Sequence, residues 1–158
     1  MEHLEIKVPC EILTYEELTP EDAELVARAR QATYRSYAPY SHFSVGAAIL
    51  LDNGITIEGA NQENAAYPSG TCAERSACYY AHATYPEAHF RKIAIAARAT
   101  DGQFTPDPTA PCGACRQALL EYEKLAGAPV EVLLASADRV CRLPSIASLL
   151  PLSFADFS

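Results

Sequence analysis

The chain has 158 residues, 49% of them hydrophobic and 20% charged, a composition that supports one domain with a buried core and excludes a low-complexity or disordered chain. Twelve Lys and Arg against twenty Asp and Glu leave a net charge of −8, the wrong sign for gripping a nucleic-acid backbone. No apolar run approaches the ~18 residues of a membrane span, and charges in MEHLEIKVPC occupy the place where a secretion signal needs an apolar stretch, so a cytoplasmic protein with no membrane partner is expected.

Thr19-Pro20-Glu21-Asp22 supplies a cap, a proline and acidic residues ahead of Ala23 to Tyr37, where Leu25, Val26, Ala29 and Ala32 form an apolar stripe, predicting a first helix. Ser44 to Leu51 and Ile55 to Ala60 flank Asp52-Asn53-Gly54, the pattern of a β-hairpin. Pro68-Ser69-Gly70-Thr71 opens an Ala-rich helix over Cys72 to Ala83, which Tyr85-Pro86 ends. Lys92 to Arg98 reads as a buried strand, Thr100 to Pro111 as a turn-rich loop, Gly113 to Leu125 as a helix and Val130 to Ala135 as a further strand. Val140 to Leu143 follows as a last strand and Ile146 to Leu150 as a short helix. This order implies a sheet covered by helices on both faces.

Six cysteines without a secretion signal point to metal binding, catalysis or burial rather than a disulfide framework. Cys112-Gly113-Ala114-Cys115, preceded by Pro111, sits at one predicted helix start, and Cys72 at another. Helix N-termini favour thiolates, which are the form a metal binds. Three sulfurs leave one tetrahedral position of a zinc ion open for water, the mark of a catalytic site. Glu74, two residues after Cys72, lies beside such a metal without ligating it and suits proton transfer. Arg75 is placed to hydrogen-bond a ligand sulfur and offset the thiolate charge. The paired patterns Cys72-Ala73-Glu74 and Pro111-Cys-x-x-Cys115 match the zinc deaminase signature. The competing reading is a structural zinc module, which has no use for an unligated carboxylate. Cys10, Cys78 and Cys141 carry no metal spacing and read as core or surface thiols. His42 reads as structural, and His3, His82 and His89 as surface residues.

At Tyr40 to Ala48, Asn61 to Pro68, Thr71 to Arg75, Pro111 to Gln117 and Leu149 to Phe154, the sequence resembles the small, homotetrameric, three-cysteine class of cytidine deaminase. The resemblance covers roughly residues 23 to 154, so residues 1–18 are expected as an N-terminal extension to a catalytic domain over 19–158. It implies a three-layer α/β/α fold with a five-stranded mixed sheet, a Zn2+ cofactor, and hydrolytic deamination of cytidine and deoxycytidine in pyrimidine salvage. It also implies that Asn61 and Glu63 hold the ribose, that Phe43 stacks on the pyrimidine and that backbone around Ala73 reads its edge. Glu74 then shuttles protons, while Tyr67 and Phe154 serve sites shared between the subunits of a tetramer. The loop Asp101 to Ala110 is longer than the family's usual one. A related scaffold acting on an aminonucleoside or a modified cytosine nucleoside is the alternative that keeps the chemistry. Nucleic-acid editing is disfavoured by the acidic balance.

Overall fold

The computed structural model describes residues 1–156. The chain runs β1 (Glu11–Thr14), α1 (Pro20–Ala32), β2 (Ser44–Leu51), β3 (Thr56–Ala60), α2 (Ala73–Thr84), β4 (Phe90–Arg98), α3 (Gly113–Ala126), β5 (Glu131–Ala135) and β6 (Arg139–Leu143), joined in places by short 3-10 turns. The strands form one sheet in the order β1-β6-β5-β4-β2-β3, with β4 and β5 parallel and every other pair antiparallel. The sheet therefore has six strands rather than the five that the family resemblance implies. The added strand is β1, a four-residue edge segment too short to show the period-two alternation by which a strand is recognised.

Alternation within β2 separates the layers. Ala47, Ile49 and Leu51 face a core shared with Ala73, Ala77 and Ala81 of α2 and Leu119 and Leu120 of α3. Ala48 and Leu50 face the other way, onto Leu25, Val26 and Ala29 of α1. Both helix layers come close because glycine is used at the contacts. A Cβ on Gly46 would lie 2.2 Å from the Ala29 carbonyl oxygen, and one on Gly59 would lie 2.5 Å from that of Ala73.

Helix α1 starts as the sequence predicts, with the Thr19 side chain accepting from the Asp22 amide at 3.2 Å and Pro20 in the first turn. It ends at Ala32, short of Tyr37, and tightens into a 3-10 turn at Thr33–Arg35. The Thr33 hydroxyl donates to the Arg30 carbonyl at 2.7 Å, and Ser36 is drawn out to donate to Asn61. Such local bonds compete with continuation of the helix. Cys10 and Cys141, expected as unpaired thiols, are joined by a disulfide that ties the residue before β1 to β6. Their separation of 131 positions carries no sequence signal. Among the described residues no helix is long and apolar enough to cross a membrane.

Topology decides where the site forms. Strand β2 is antiparallel to both β3 and β4, so these two run the same way and end at the same edge of the sheet. The segments leaving them lead into α2 and α3, whose N-termini therefore meet.

Candidate active site

Cys72 is the N-cap of α2 and Cys112 the N-cap of α3, both in extended backbone with no side-chain cap of their own. Their carbonyls accept the first helical bonds, from Ser76 and Arg116, each at 3.0 Å. Their sulfurs are thus left free to face one another at 3.8 Å, and Cys115 in the first turn of α3 completes a group whose three sulfur atoms lie within 4.8 Å of one another. A tetrahedral zinc with bonds of about 2.3 Å needs sulfurs about 3.8 Å apart. The donor set and its spacing fit zinc, and with three protein ligands one position is open.

The electrostatics favour a thiolate here. Cys72 is held down to about 5, first by the hydrogen bond from Cys115, and, against the cost of burial, by Arg75 and Cys112. The same bond, with burial, pushes the Cys115 thiol upward. Arg75 Nη2 lies 3.6 Å from Cys72 Sγ, three residues along one helix face, as its expected charge-balancing role requires. Its Nε is buried without a hydrogen-bond partner among the described residues. Glu74 is only 4% exposed, and its carboxyl is held above the usual carboxylate range, chiefly by burial, with the Cys72 charge adding to it. A carboxyl so placed takes up a proton readily, which suits an acid/base group. Cys78, one turn on, is pushed up to about 12 by burial and donates to the Arg75 carbonyl, the behaviour of an inert core thiol.

A cavity of about 640 Å3 opens over the sulfurs, and Glu74, Phe43, Asn61, Glu63 and Tyr67 all line it. Ala73 is fully buried between Cys72 and Glu74. Asn61 and Glu63 are fixed from behind. Asn61 Oδ1 accepts from Ser36 Oγ (2.6 Å) and the Val45 amide (2.8 Å), while its Nδ2 donates to the Phe43 carbonyl (2.9 Å). Glu63 Oε2 accepts from the Tyr40 and Ser41 amides, and Oε1 from the Ser41 hydroxyl. Phe154 is not brought to this cavity: its carbonyl accepts from Gln117 Nε2 at 2.9 Å and its residue is 64% exposed.

Four residues of the site and its support were not expected from the sequence: Ser36, in a turn-rich stretch, Ser41, within the Tyr40 to Ala48 motif, and Thr109 and Ala110, which bring the long loop to the cavity wall. That loop is anchored by Thr105, whose amide donates to the Ala97 carbonyl and whose own carbonyl accepts from the Ala137 amide.

Residues 19–126 match the family described as the cytidine and deoxycytidylate deaminase zinc-binding region. The chain belongs to this family. It is 41% identical over 130 residues to a cytidine deaminase of Halalkalibacterium halodurans, covering 82% of this chain and 91% of that protein. It is also similar to the crystal structure of cytidine deaminase from Burkholderia pseudomallei, with 37% identity, a TM-score of 0.72, and coverage of 87% of this chain and all of that one. A cytidine deaminase structure from Mycobacterium tuberculosis aligns at 32% identity and a TM-score of 0.66, covering 87% of this chain and 99% of that one. The three-layer architecture and the mixed sheet agree with that family, and the sheet has six strands.

Proposed function

We propose that this protein is a zinc-dependent cytidine deaminase, converting cytidine and deoxycytidine with water to uridine and deoxyuridine plus ammonia. The observation that carries the proposal is a three-sulfur zinc site whose neighbouring carboxyl, Glu74, is buried, proton-seeking and not one of the ligands. Zinc bound there supplies a Lewis acid that lets water ionise near neutral pH.

The chain's own residues account for the rest. Glu74 takes a proton from the attacking water and passes it to N3 of the ring as C4 becomes tetrahedral, then takes the proton of the new C4 hydroxyl and delivers it to the departing amine as the C4–N bond breaks and the carbonyl forms. Arg75 holds the Cys72 sulfur and tempers its charge. Phe43 offers its ring to the pyrimidine, and backbone around Ala73, at the start of α2 where helix donors lack helical partners, reads the pyrimidine edge. Asn61 has one Nδ2 hydrogen to spare and Glu63 Oε1 an open lone pair, so one ribose hydroxyl can accept from the first and donate to the second. That complementarity favours a nucleoside over a free base.

The exposed rings of Tyr67 and Phe154 support a homotetramer in which subunits complete each other's sites. The absence of net positive charge supports a small-molecule substrate rather than nucleic acid. Residues 19–158 serve as the catalytic domain in this reading, in a cytoplasmic salvage enzyme.

Zinc content and the ultraviolet absorbance change on cytidine hydrolysis, measured for the wild type and Glu74→Gln, test the proposal. Wild type holding about one zinc per chain and turning over cytidine, with the variant keeping zinc and losing ~10²–10⁴ in rate, is the expected result. Zinc binding with no turnover of cytidine or deoxycytidine would refute the substrate assignment, and a variant as active as wild type would refute the role of Glu74.

A further inference from the structure

Between the base-stacking ring and the sugar-binding carboxylate stands a residue that the chemistry above does not use. The Ser41 hydroxyl donates to Glu63 Oε1 and accepts from the Phe43 amide at 3.1 Å. A serine hydroxyl has one donor and two acceptor sites, so its single hydrogen is committed to the carboxylate and its oxygen to the backbone that carries the ring. The Ser41 amide adds a bond to Glu63 Oε2 at 3.2 Å, beside that of Tyr40 at 2.9 Å.

The intervening residue shows how tightly the turn is drawn. His42 has φ 54°, one of two non-glycine residues in left-handed backbone among the described residues, and its amide donates to the Ala38 carbonyl at 3.0 Å. A side chain in that region costs on the order of 1 kcal/mol or more unless the surroundings hold it. Here the bonds at Ser41 and Ala38 hold it. The bonds to Glu63 hold its carboxylate low against burial, with the Ser41 hydroxyl contributing most, so the group meets substrate as a charged acceptor.

We infer that Ser41 is a positioning residue that fixes Glu63 Oε1 against the turn carrying Phe43, so that the ribose meets an acceptor already aimed at it. The inference rests on the proposed roles of Phe43 and Glu63. Without the hydroxyl, Glu63 keeps its two amide bonds at Oε2 but Oε1 loses the bond that fixes its direction toward the sugar. The chemistry at Glu74 is untouched, so the loss falls on binding of sugars that have a hydroxyl to present.

The test is a cycle of Ser41→Ala, Ser41→Thr, Glu63→Gln and the double variant Ser41→Ala/Glu63→Gln. KM and kcat are measured for cytidine and for 2′,3′-dideoxycytidine, alongside zinc content and melting temperature. Ser41→Ala is expected to raise the cytidine KM about tenfold with kcat within about threefold, and to raise the dideoxycytidine KM by less than about threefold. Ser41→Thr restores the cytidine KM, and in the Glu63→Gln background Ser41→Ala adds less than about threefold, the non-additivity of groups acting as one. If Glu63→Gln raises the cytidine KM and Ser41→Ala does not, the positioning role is overturned while the ribose assignment stands. If Glu63→Gln itself leaves KM unchanged, the ribose assignment falls and takes this inference with it. A Ser41→Ala protein that melts lower and loses equally on both substrates shows a merely structural serine and also overturns the inference.

Discussion

Replacing Gly59 by alanine should move the active site without touching it. The added Cβ would stand 2.5 Å from the Ala73 carbonyl oxygen, 2.6 Å from the Ala77 nitrogen and 2.9 Å from the Ala77 Cβ. Ordinary contacts begin near ~3.5 Å, so α2 must withdraw from β3 by about 1 Å over its first turn. Overpacking of this kind costs ~1–3 kcal/mol, and at ~2–4 °C per kcal/mol for a chain of this size the melting temperature should fall by about 2–12 °C. The larger effect is on rate, because the displaced turn carries Cys72, Glu74 and Arg75. A ~1 Å misplacement of reacting groups is worth on the order of 100-fold. Thermal unfolding, zinc content and cytidine hydrolysis on the same preparation decide the matter. A Gly59→Ala protein that melts within about 1 °C of wild type and works within twofold would show that contact with β3 does not set the position of α2.

Arg75→Ala should keep its zinc yet lose ~10–100-fold in rate, as removal of a group that orients a metal ligand does; full activity in the folded variant would end its assignment. Lys92 meets the buried carboxylate of Asp22 at 2.5 Å, and although burial opposes its charge, its bonds to Asp22 and Glu21 hold the ammonium above the usual lysine range. A raised lysine stabilises the fold fully below its ordinary value of ~10.4 and less as pH climbs through the higher folded one, so the melting temperature should be insensitive to this group at neutral pH and drop in alkali. Lys92→Met should cost about 3 kcal/mol at neutral pH, the low end for breaking a buried pair because Arg142 remains 3.9 Å from Asp22, and an unchanged melting temperature would contradict this. Reducing the Cys10–Cys141 bond opens a loop of 131 residues, which on chain entropy lowers stability by at most about 5 kcal/mol. Melting with and without dithiothreitol measures it, and identical curves would show that the bond adds nothing.

The catalytic half of the site was legible because its geometry is local. A cysteine at a helix N-cap, a glutamate in the first turn and a Cys-x-x-Cys at a second helix start are statements about one or two turns of chain, and the hairpin Asp52-Asn53-Gly54 that brings β2 and β3 together is equally local. Asn61, Glu63 and Phe43 came from family likeness alone, since spacing could not distinguish a sugar-binding pair from turn residues. In the structure Asn61 and Glu63 both line the cavity and both are held by hydrogen bonds, Asn61 to the Ser36 hydroxyl and to the backbone of Phe43 and Val45. What stayed hidden depends on partners more than twenty residues apart. Ser36 meets Asn61 and Ser41 meets Glu63 only after the sheet has formed. Strand β1 and the disulfide are the extreme cases, since Glu11-Ile12-Leu13-Thr14 acquires its meaning from β6, at the opposite end of the chain.

Strand β1 also covers an edge of the sheet. Without β1, the backbone donors and acceptors of β6 would lie bare along a sheet margin, a template for a strand from another molecule. With it, the margin is a four-residue segment that follows Pro9, carries Glu11 paired to Arg142, and is too short to seed a growing ladder. Trimming the chain before Thr19 should therefore show itself first as aggregation in light scattering at rising protein concentration, even where the zinc site is intact.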